Sequence, residues 1–263
     1  VFGGGGMNEI ARAVGDIKYY PDLIQGSDEW IAARCGLLTA SEMRLIVAPP
    51  PEPETRIKKD GTPYKQREWN PAASNDKERA HLYELLGQRI TRHVEPHYFS
   101  DDMLRGKEDE VEARILYDKH YAPVTDMGFI TNNEFGFTLG FSPDGLVGED
   151  GFIECKSRRQ KYQMETIVEC VLAGIQPEEY RLQTQTGFLV SGRKWCDFIS
   201  FSGGLPMATI RIFPDPEIQE AILTAATAFE KRLAEKMEQY YATLKSGARL
   251  IPTERKIIME MFV

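Results

Sequence analysis

The spacing of apolar and polar positions divides the chain into helical and extended stretches. A helix is expected from Asp28 to Arg34, with Ser27 as its N-cap and two acids, Asp28 and Glu29, in the first turn, where the helix dipole favours them. Gly36 stops it. A second helix is expected at once, because Thr39-Ala40-Ser41-Glu42 spells a capping box leading into Met43–Val47. Residues 75–94 are helical in pattern, and Ser100-Asp101-Asp102 opens another helix carrying Leu104, Val111, Ile115 and Leu116. Short strands follow at about 124–131, 135–141 and 152–156. Helices are expected near 162–173 and 177–190, then strands at about 195–202 and 207–213. A long C-terminal helix at about 215–245 places Ile218, Ile222, Ala225, Phe229, Leu233, Met237 and Leu244 on one stripe, with Gly247 after it as a stop. There is no internal repeat. Helices, then a strand cluster, then helices mixed with strands predict a single α/β domain with a mixed central β-sheet flanked by helices.

Two segments stand outside that pattern. Residues 1–6, Val-Phe followed by four glycines, read as an expression remnant or linker before Met7. Residues 49–72 are rich in Pro and charge without usable periodicity, and are expected to form a long basic loop carrying Arg56, Lys58, Lys59, Lys65 and Arg67. The balance of 42% hydrophobic and 27% charged residues is that of an ordinary globular protein and argues against global disorder. No apolar run approaches a membrane span and no signal-like start is present, so no membrane association is expected. Cys35, Cys155, Cys170 and Cys196 have neither C-x-x-C pairing nor zinc-ligand spacing, which points to free thiols in a reducing cytosol. The net charge of −8 counts against DNA binding through the whole surface but leaves local basic clusters, such as Arg158, Arg159 and Lys161, free to act.

The densest chemistry lies in Ser142-Pro143-Asp144-Gly145 and Phe152-Ile153-Glu154-Cys155-Lys156. Side chains alternate along a strand, so Glu154 and Lys156 share a face and Cys155 points away. Two carboxylates and an ammonium beside a core are costly unless compensated, and a hard divalent cation held by Asp144 and Glu154 would compensate them. The Cys155 carbonyl is within reach as a further oxygen ligand. Lys156 would then orient or deprotonate the attacking water, with a lowered pKa. The same spacing also fits a hairpin with an exposed turn Asp and a Glu–Lys surface pair.

Three further segments carry polar groups at helical spacing. Within Arg105–Arg114, Gly106 and Glu110 share a helix face, and Glu110 can add a carboxylate to the metal site or belong to an exposed acidic face. Arg34 ends one helix where the free N–H groups of the next begin near Thr39–Ser41, which makes either a phosphate site or a helix hinge. Gln183, in Leu182-Gln183-Thr184-Gln185, can hydrogen-bond the lysine or the water, or lie on a plain polar face. No phosphate-binding glycine loop and no G-x-S-x-G elbow occurs, so nucleoside-triphosphate hydrolysis and serine-hydrolase chemistry lack support.

In order, Gln25-Gly26-Ser27-x-x-Trp30 with Arg34-x-Gly36 and Thr39-Ala40-Ser41, Arg105-Gly106 to Glu110 with Ala113-Arg114, Ser142-Pro143-Asp144-Gly145 with Glu154-x-Lys156, and Gln183-x-Gln185 resemble the motifs of the lambda-exonuclease-type, YqaJ-like viral recombinase family. This family is a branch of the PD-(D/E)xK nucleases, and the resemblance spans roughly residues 25–190. It implies a restriction-endonuclease-like core in a single exonuclease domain over 7–263, and a metal-dependent 5′–3′ exonuclease that degrades one strand of linear duplex DNA to leave 3′ overhangs for recombination. Asp144, Glu154 and Lys156 take the catalytic roles, with two Mg²⁺ ions and Mn²⁺ as a substitute. Glu110 assists the second ion, directly or through water, and Gln183 positions Lys156 or the water. Arg34 with Ser41, beside Thr39, binds the 5′ or scissile phosphate. Duplex DNA ends, a ring-shaped homotrimer and a single-strand annealing protein are the implied partners, in the cytoplasm of a bacterium carrying the phage or prophage. Two alternatives share the fold: an endonuclease of the same superfamily, restriction-like or junction-cleaving, and a non-catalytic DNA-end-binding protein.

Overall fold

A computed structural model describes residues 12–14, 16–47, 76–95 and 101–255. The segment 1–6 and the Pro-rich stretch 49–72 lie outside the described residues. The expected mixed α/β architecture is present, with the strands divided between two mixed sheets. The first runs β1 (Arg12–Val14), β2 (Ile17–Tyr20), β4 (Phe129–Asn132), β5 (Leu139–Phe141) and β3 (Leu38–Thr39), antiparallel except for β3 beside β5. The second runs β6 (Gly145–Val147), β7 (Gly151–Ser157), β8 (Trp195–Phe201) and β9 (Ala208–Ile212), with β7 and β8 parallel and the outer pairs antiparallel. Seven α-helices accompany them among the described residues: α1 (Asp28–Arg34), α2 (Met43–Ile46), α3 (Asp76–Thr91), α4 (Asp101–His120), α5 (Gln160–Glu165), α6 (Arg181–Ser191) and α7 (Pro216–Lys245). None of the described helices is long and apolar enough to cross a membrane.

The larger core lies between the first sheet and α2, α3, α6 and α7. Phe141 of β5, Phe152 of β7 and Phe188 of α6 stack edge to face with ring centroids 5.1 Å apart, which ties the two sheets to one helix. Gly187 makes that closeness possible, because a Cβ there would stand 2.9 Å from the Phe141 ring and 3.1 Å from Phe152. Ile222, Ala225, Phe229 and Leu233 of α7 are buried as the stripe requires, while Leu244, in the last turn of the helix, is exposed. Arg89 of α3 forks onto Glu230 of α7 at 2.7 and 2.6 Å, and its Nε donates to the Gly36 carbonyl at 2.8 Å. The turn after α1 is thereby pinned to the helix pair, and Gly36 takes the left-handed φ of +74° that the turn needs.

Four local expectations change. The helix beginning at Thr39 opens instead with a 3₁₀ turn, Ala40–Glu42, and its capping box does not form: the Thr39 hydroxyl donates to the Glu42 carboxylate at 2.7 Å rather than receiving a backbone N–H. On α4 the apolar residues Leu104, Val111 and Ile115 face outward, and Ala113 and Tyr117 are buried against β7 and β8. A tyrosine can fill that position because its hydroxyl donates to the buried Asp197 at 2.6 Å, and Asp197 also receives both arms of Arg211 at 2.8 Å. The strand expected from 124 begins at Phe129, with Thr125 forming only an isolated bridge to Leu146. Strand β6 is not among the expected strands, and β1 and β2 escape the sequence pattern altogether.

Candidate active site

The site grows from the fork between β6 and β7. The two strands pair from Val147–Gly151 to Gly145–Ile153 and then part, so β7 has no partner strand beside Cys155 on that edge. Asp144, the first residue past the fork, fills the gap: its Oδ2 accepts the Cys155 N–H at 2.5 Å. Within a strand a residue's N–H and C=O point to the same side, so the Cys155 carbonyl faces the same open edge. The Cys155 side chain points the other way, into the cluster under α4.

Glu154 is 1% exposed and Lys156 23% exposed, on the face of β7 that meets α6. Glu154 Oε1 receives Lys156 Nζ at 2.5 Å and Gln183 Nε2, from the first turns of α6, also at 2.5 Å. Its second oxygen, Oε2, is buried without a hydrogen-bond partner. Glu110 reaches Asp144 from α4 and lies in the field of Glu154 and Lys156. On the same helix Asp109 accepts the Ser157 hydroxyl, which anchors α4 along the end of β7. Asp144, Glu154, Lys156, Glu110 and Gln183, chosen from four separate segments, thus meet at one strand edge. Gln183 meets the carboxylate of Glu154 rather than Lys156.

The electrostatics are those of a carboxylate cluster short of positive charge. Burial and the neighbouring Glu110 push Asp144 up to about 7, with Lys156 and the Cys155 N–H opposing. Burial raises Glu154 to about 7 against the pull of Lys156, with Asp144 adding to the rise. Glu110 is raised by burial and by Glu154. The lowered lysine pKa expected from burial is reversed: burial does pull Lys156 down, but Glu154 and Asp144 outweigh it and hold the ammonium protonated.

As the side chains stand, no three Asp, Glu, His or Cys groups among the described residues converge at metal-ligand distance. The donor chemistry nevertheless fits a hard divalent cation. All the groups offered are oxygens, one buried carboxylate oxygen is unsatisfied, and the raised carboxylates mark where positive charge is wanted. Asp144, Glu154 and the Cys155 carbonyl are the residues that would hold it, and Glu110 lies beside Asp144.

A second polar cluster lies two residues upstream of Asp144. Arg34 stacks on the Trp30 ring, 4.3 Å from its centroid, and donates to Thr39 Oγ1 at 3.1 Å. Its other arm makes a long 3.5 Å contact to Ser142 Oγ, which also accepts the Trp30 indole N–H at 2.9 Å. Thr39 accepts from Arg34 and gives its own proton to Glu42, and Ser41 Oγ lies 3.3 Å away. Arg34 makes no ion pair among the described residues, and burial lowers its pKa against the pull of Glu42. A mostly desolvated guanidinium with donors to spare is suited to an anion. Three expected residues, Arg34, Thr39 and Ser41, are therefore together, and two others, Trp30 and Ser142, complete the cluster. Arg158, in the basic stretch expected beside the site, instead turns inward and pairs with Glu179 at 2.6 Å.

A family model described as the YqaJ-like viral recombinase domain matches residues 29–194, a span containing every one of these side chains. The chain belongs to the YqaJ-like viral recombinase family. Nucleases of this family use divalent metal ions. Among solved structures, an alkaline exonuclease (LHK-Exo) from Laribacter hongkongensis superposes with a TM-score of 0.67 at 29% identity, over 84% of this chain and all of that one. The same exonuclease in complex with dAMP superposes with a TM-score of 0.63 at 28% identity, over the same shares of the two chains. A phage-related exonuclease from Haemophilus somnus 129PT, 14% identical, shares the YqaJ-type fold with a TM-score of 0.51, over 78% of this chain and 96% of its own. No curated protein matches the chain.

Proposed function

We propose that the protein is a Mg²⁺-dependent 5′–3′ exonuclease that digests one strand of linear duplex DNA and leaves 3′ single-stranded overhangs for recombination. Membership of a recombinase nuclease family and likeness to alkaline exonucleases make it a DNA exonuclease. The observation that carries the finer reading is the gathering of Asp144, Glu154, Lys156, Glu110 and Gln183 at the open edge of β7.

Each residue has a task in an in-line displacement at phosphorus. Asp144, Glu154 and the Cys155 carbonyl hold the first Mg²⁺, and Glu110 helps to hold a second; Mn²⁺ suits the same oxygens. The chemistry that such ions supply when bound is activation of water at neutral pH and stabilisation of charge on the attacked phosphate. Lys156, kept as an ammonium by Glu154, orients the water and donates to a non-bridging phosphate oxygen. Gln183 fixes the Glu154 carboxylate through Oε1 and leaves Oε2 free to accept a cation. No covalent intermediate is needed, in keeping with the lack of an activated nucleophile at the site.

The Arg34 cluster favours an enzyme that begins at ends. Arg34, Thr39, Ser41 and Ser142 offer a guanidinium and hydroxyls to the phosphate of a 5′ terminus, and Ser142 stands two residues before Asp144. The neighbour's complex with dAMP, a nucleoside monophosphate, is consistent with release of mononucleotides. A ring-shaped trimer and a single-strand annealing partner complete the proposal, with action in the cytoplasm of a host carrying the phage or prophage.

The test is digestion of linear, nicked and closed-circular duplexes with Mg²⁺. Linear DNA should be consumed and closed circles left intact, and Asp144→Ala or Lys156→Met should abolish digestion while DNA-end binding persists. Cutting of closed circles would make the enzyme an endonuclease; full activity in either variant would remove the site. Ends carrying a 5′-phosphate should be digested faster than 5′-hydroxyl ends, and Arg34→Ala should erase that difference.

A further inference from the structure

Tyr180 contacts two cations, Lys156 of the hydrolytic site and Arg158, which that site does not explain. It lies in the 3₁₀ turn Glu178–Tyr180 immediately before α6, three residues ahead of Gln183. Lys156 Nζ sits over its ring, 5.4 Å from the centroid. Its hydroxyl accepts from Arg158 Nη1 at 2.8 Å, and the same nitrogen donates to Glu179 at 2.6 Å. Arg158 is buried, with its guanidinium carbon 5.2 Å from the Tyr180 centroid. Phe198 of β8 backs the ring at 5.4 Å between centroids. Burying an arginine to hold a tyrosine is expensive unless the tyrosine must be held, because the Arg158 Nε is left without a partner.

We propose that Tyr180 is a positioning residue for Lys156, presenting its ring face to the ammonium while Arg158 and Glu179 lock the ring in place. The inference rests on the hydrolytic role proposed above for Lys156. The physical need is specific. The other groups that hold the ammonium are carboxylates, Glu154 in contact and Asp144 through its field, and Glu154 also has an oxygen to offer a cation. A partner that attracts the ammonium without being a metal ligand keeps Lys156 in place when Glu154 is shared. An aromatic face does this, since its quadrupole attracts the charge and it offers no carboxylate oxygen.

The decisive variable is the negative charge on the ring face, which successive fluorination reduces at almost constant shape. Full-length protein carrying Phe at 180, and then mono-, di- and trifluorophenylalanine there, should show turnover at saturating DNA and Mg²⁺ falling stepwise, by roughly tenfold across the series. KM for DNA should stay level. Tyr180→Phe itself should lose only about threefold, because the ring remains and only the hydroxyl anchor goes. A second measurement needs no catalysis. In chelator, urea unfolding of Lys156→Met, Tyr180→Leu and the double variant should be non-additive, with a coupling of about fivefold in the unfolding constant. Turnover that is flat across the fluorine series, or additive unfolding, overturns the assignment. If Lys156→Met still digests DNA, the hydrolytic reading of Lys156 fails instead, and that result is separable from the other two.

Discussion

Replacing Glu154 by Gln should kill the nuclease and strengthen the metal-free fold. Burial raises the Glu154 carboxyl from 4.5 to about 7, so holding it ionised in the folded protein costs about 3 kcal/mol. The sign follows from proton counting. Between those two values the folded state binds more protons than the unfolded one, so stability falls as pH rises through the window and stays low above it. Gln mimics the protonated side chain at every pH and removes that cost. Its amide group, placed at the position of the unsatisfied Oε2, leaves a buried N–H unpaired, which takes back about 1 kcal/mol. The net gain at pH 8 in chelator is roughly 2 kcal/mol, or about 4–8 °C in Tm for a chain of this size. At pH 4.5 to 5 the wild-type carboxyl is itself mostly protonated when folded, so the gain should vanish and the variant should be no more stable than wild type. Urea or thermal melts of both proteins at the two pH values measure this directly. A variant no more stable than wild type at pH 8, or a difference that does not depend on pH, refutes the account of Glu154 as a desolvated carboxylate awaiting a cation.

Three other outcomes follow from the same geometry. Because Asp144 and Glu154 both titrate near 7, protons compete with metal, so stabilisation by Mg²⁺ or Ca²⁺ in thermal-shift assays should be distinctly larger at pH 8 than at pH 5.5; equal shifts would remove these carboxylates from the ion site. Gly187→Ala drives a methyl group toward the Phe141 and Phe152 rings and should cost about 1–3 kcal/mol in urea unfolding. It also pushes α6 away from β7, so turnover should fall as Gln183 loses Glu154. Asp197→Ala strands the Tyr117 hydroxyl in the core and frees Arg211, and should cost about 2–4 kcal/mol, with Tyr117→Phe in that background recovering part of the loss.

The pairing of Glu154 with Lys156 was legible in the chain because strand alternation is a local rule. Glu154 and Lys156 share a face in any strand, and Asp144 follows from a turn ten residues earlier, so the triad can be written down without a fold. The helices with strong amphipathic stripes were legible for the same reason, α7 above all, since an apolar spacing that repeats over 30 residues fits one face of a helix and little else. Where the apolar spacing was short, it misled: on α4 the visible stripe of Leu104, Val111 and Ile115 is exposed, and the buried face uses Ala113 and a tyrosine that is acceptable only because Asp197 lies across from it. No local pattern reports a partner 80 residues away.

The protein's sequence by itself determined which side chains are available for metal and phosphate chemistry and which of them lie together on one strand or one helical turn. Tertiary structure alone decided their company. The parting of β6 and β7 beside Cys155 turns Asp144 toward an open edge, α6 brings Gln183 onto Glu154 across 29 residues of chain, and α4 carries Glu110 to Asp144. It also decided the direction of every pKa shift, because desolvation is a property of the packed surroundings and not of the residue. Lys156 shows the difference most plainly. Burial would lower it, but Glu154 on the same strand and Asp144, which the fold brings in, together hold its proton.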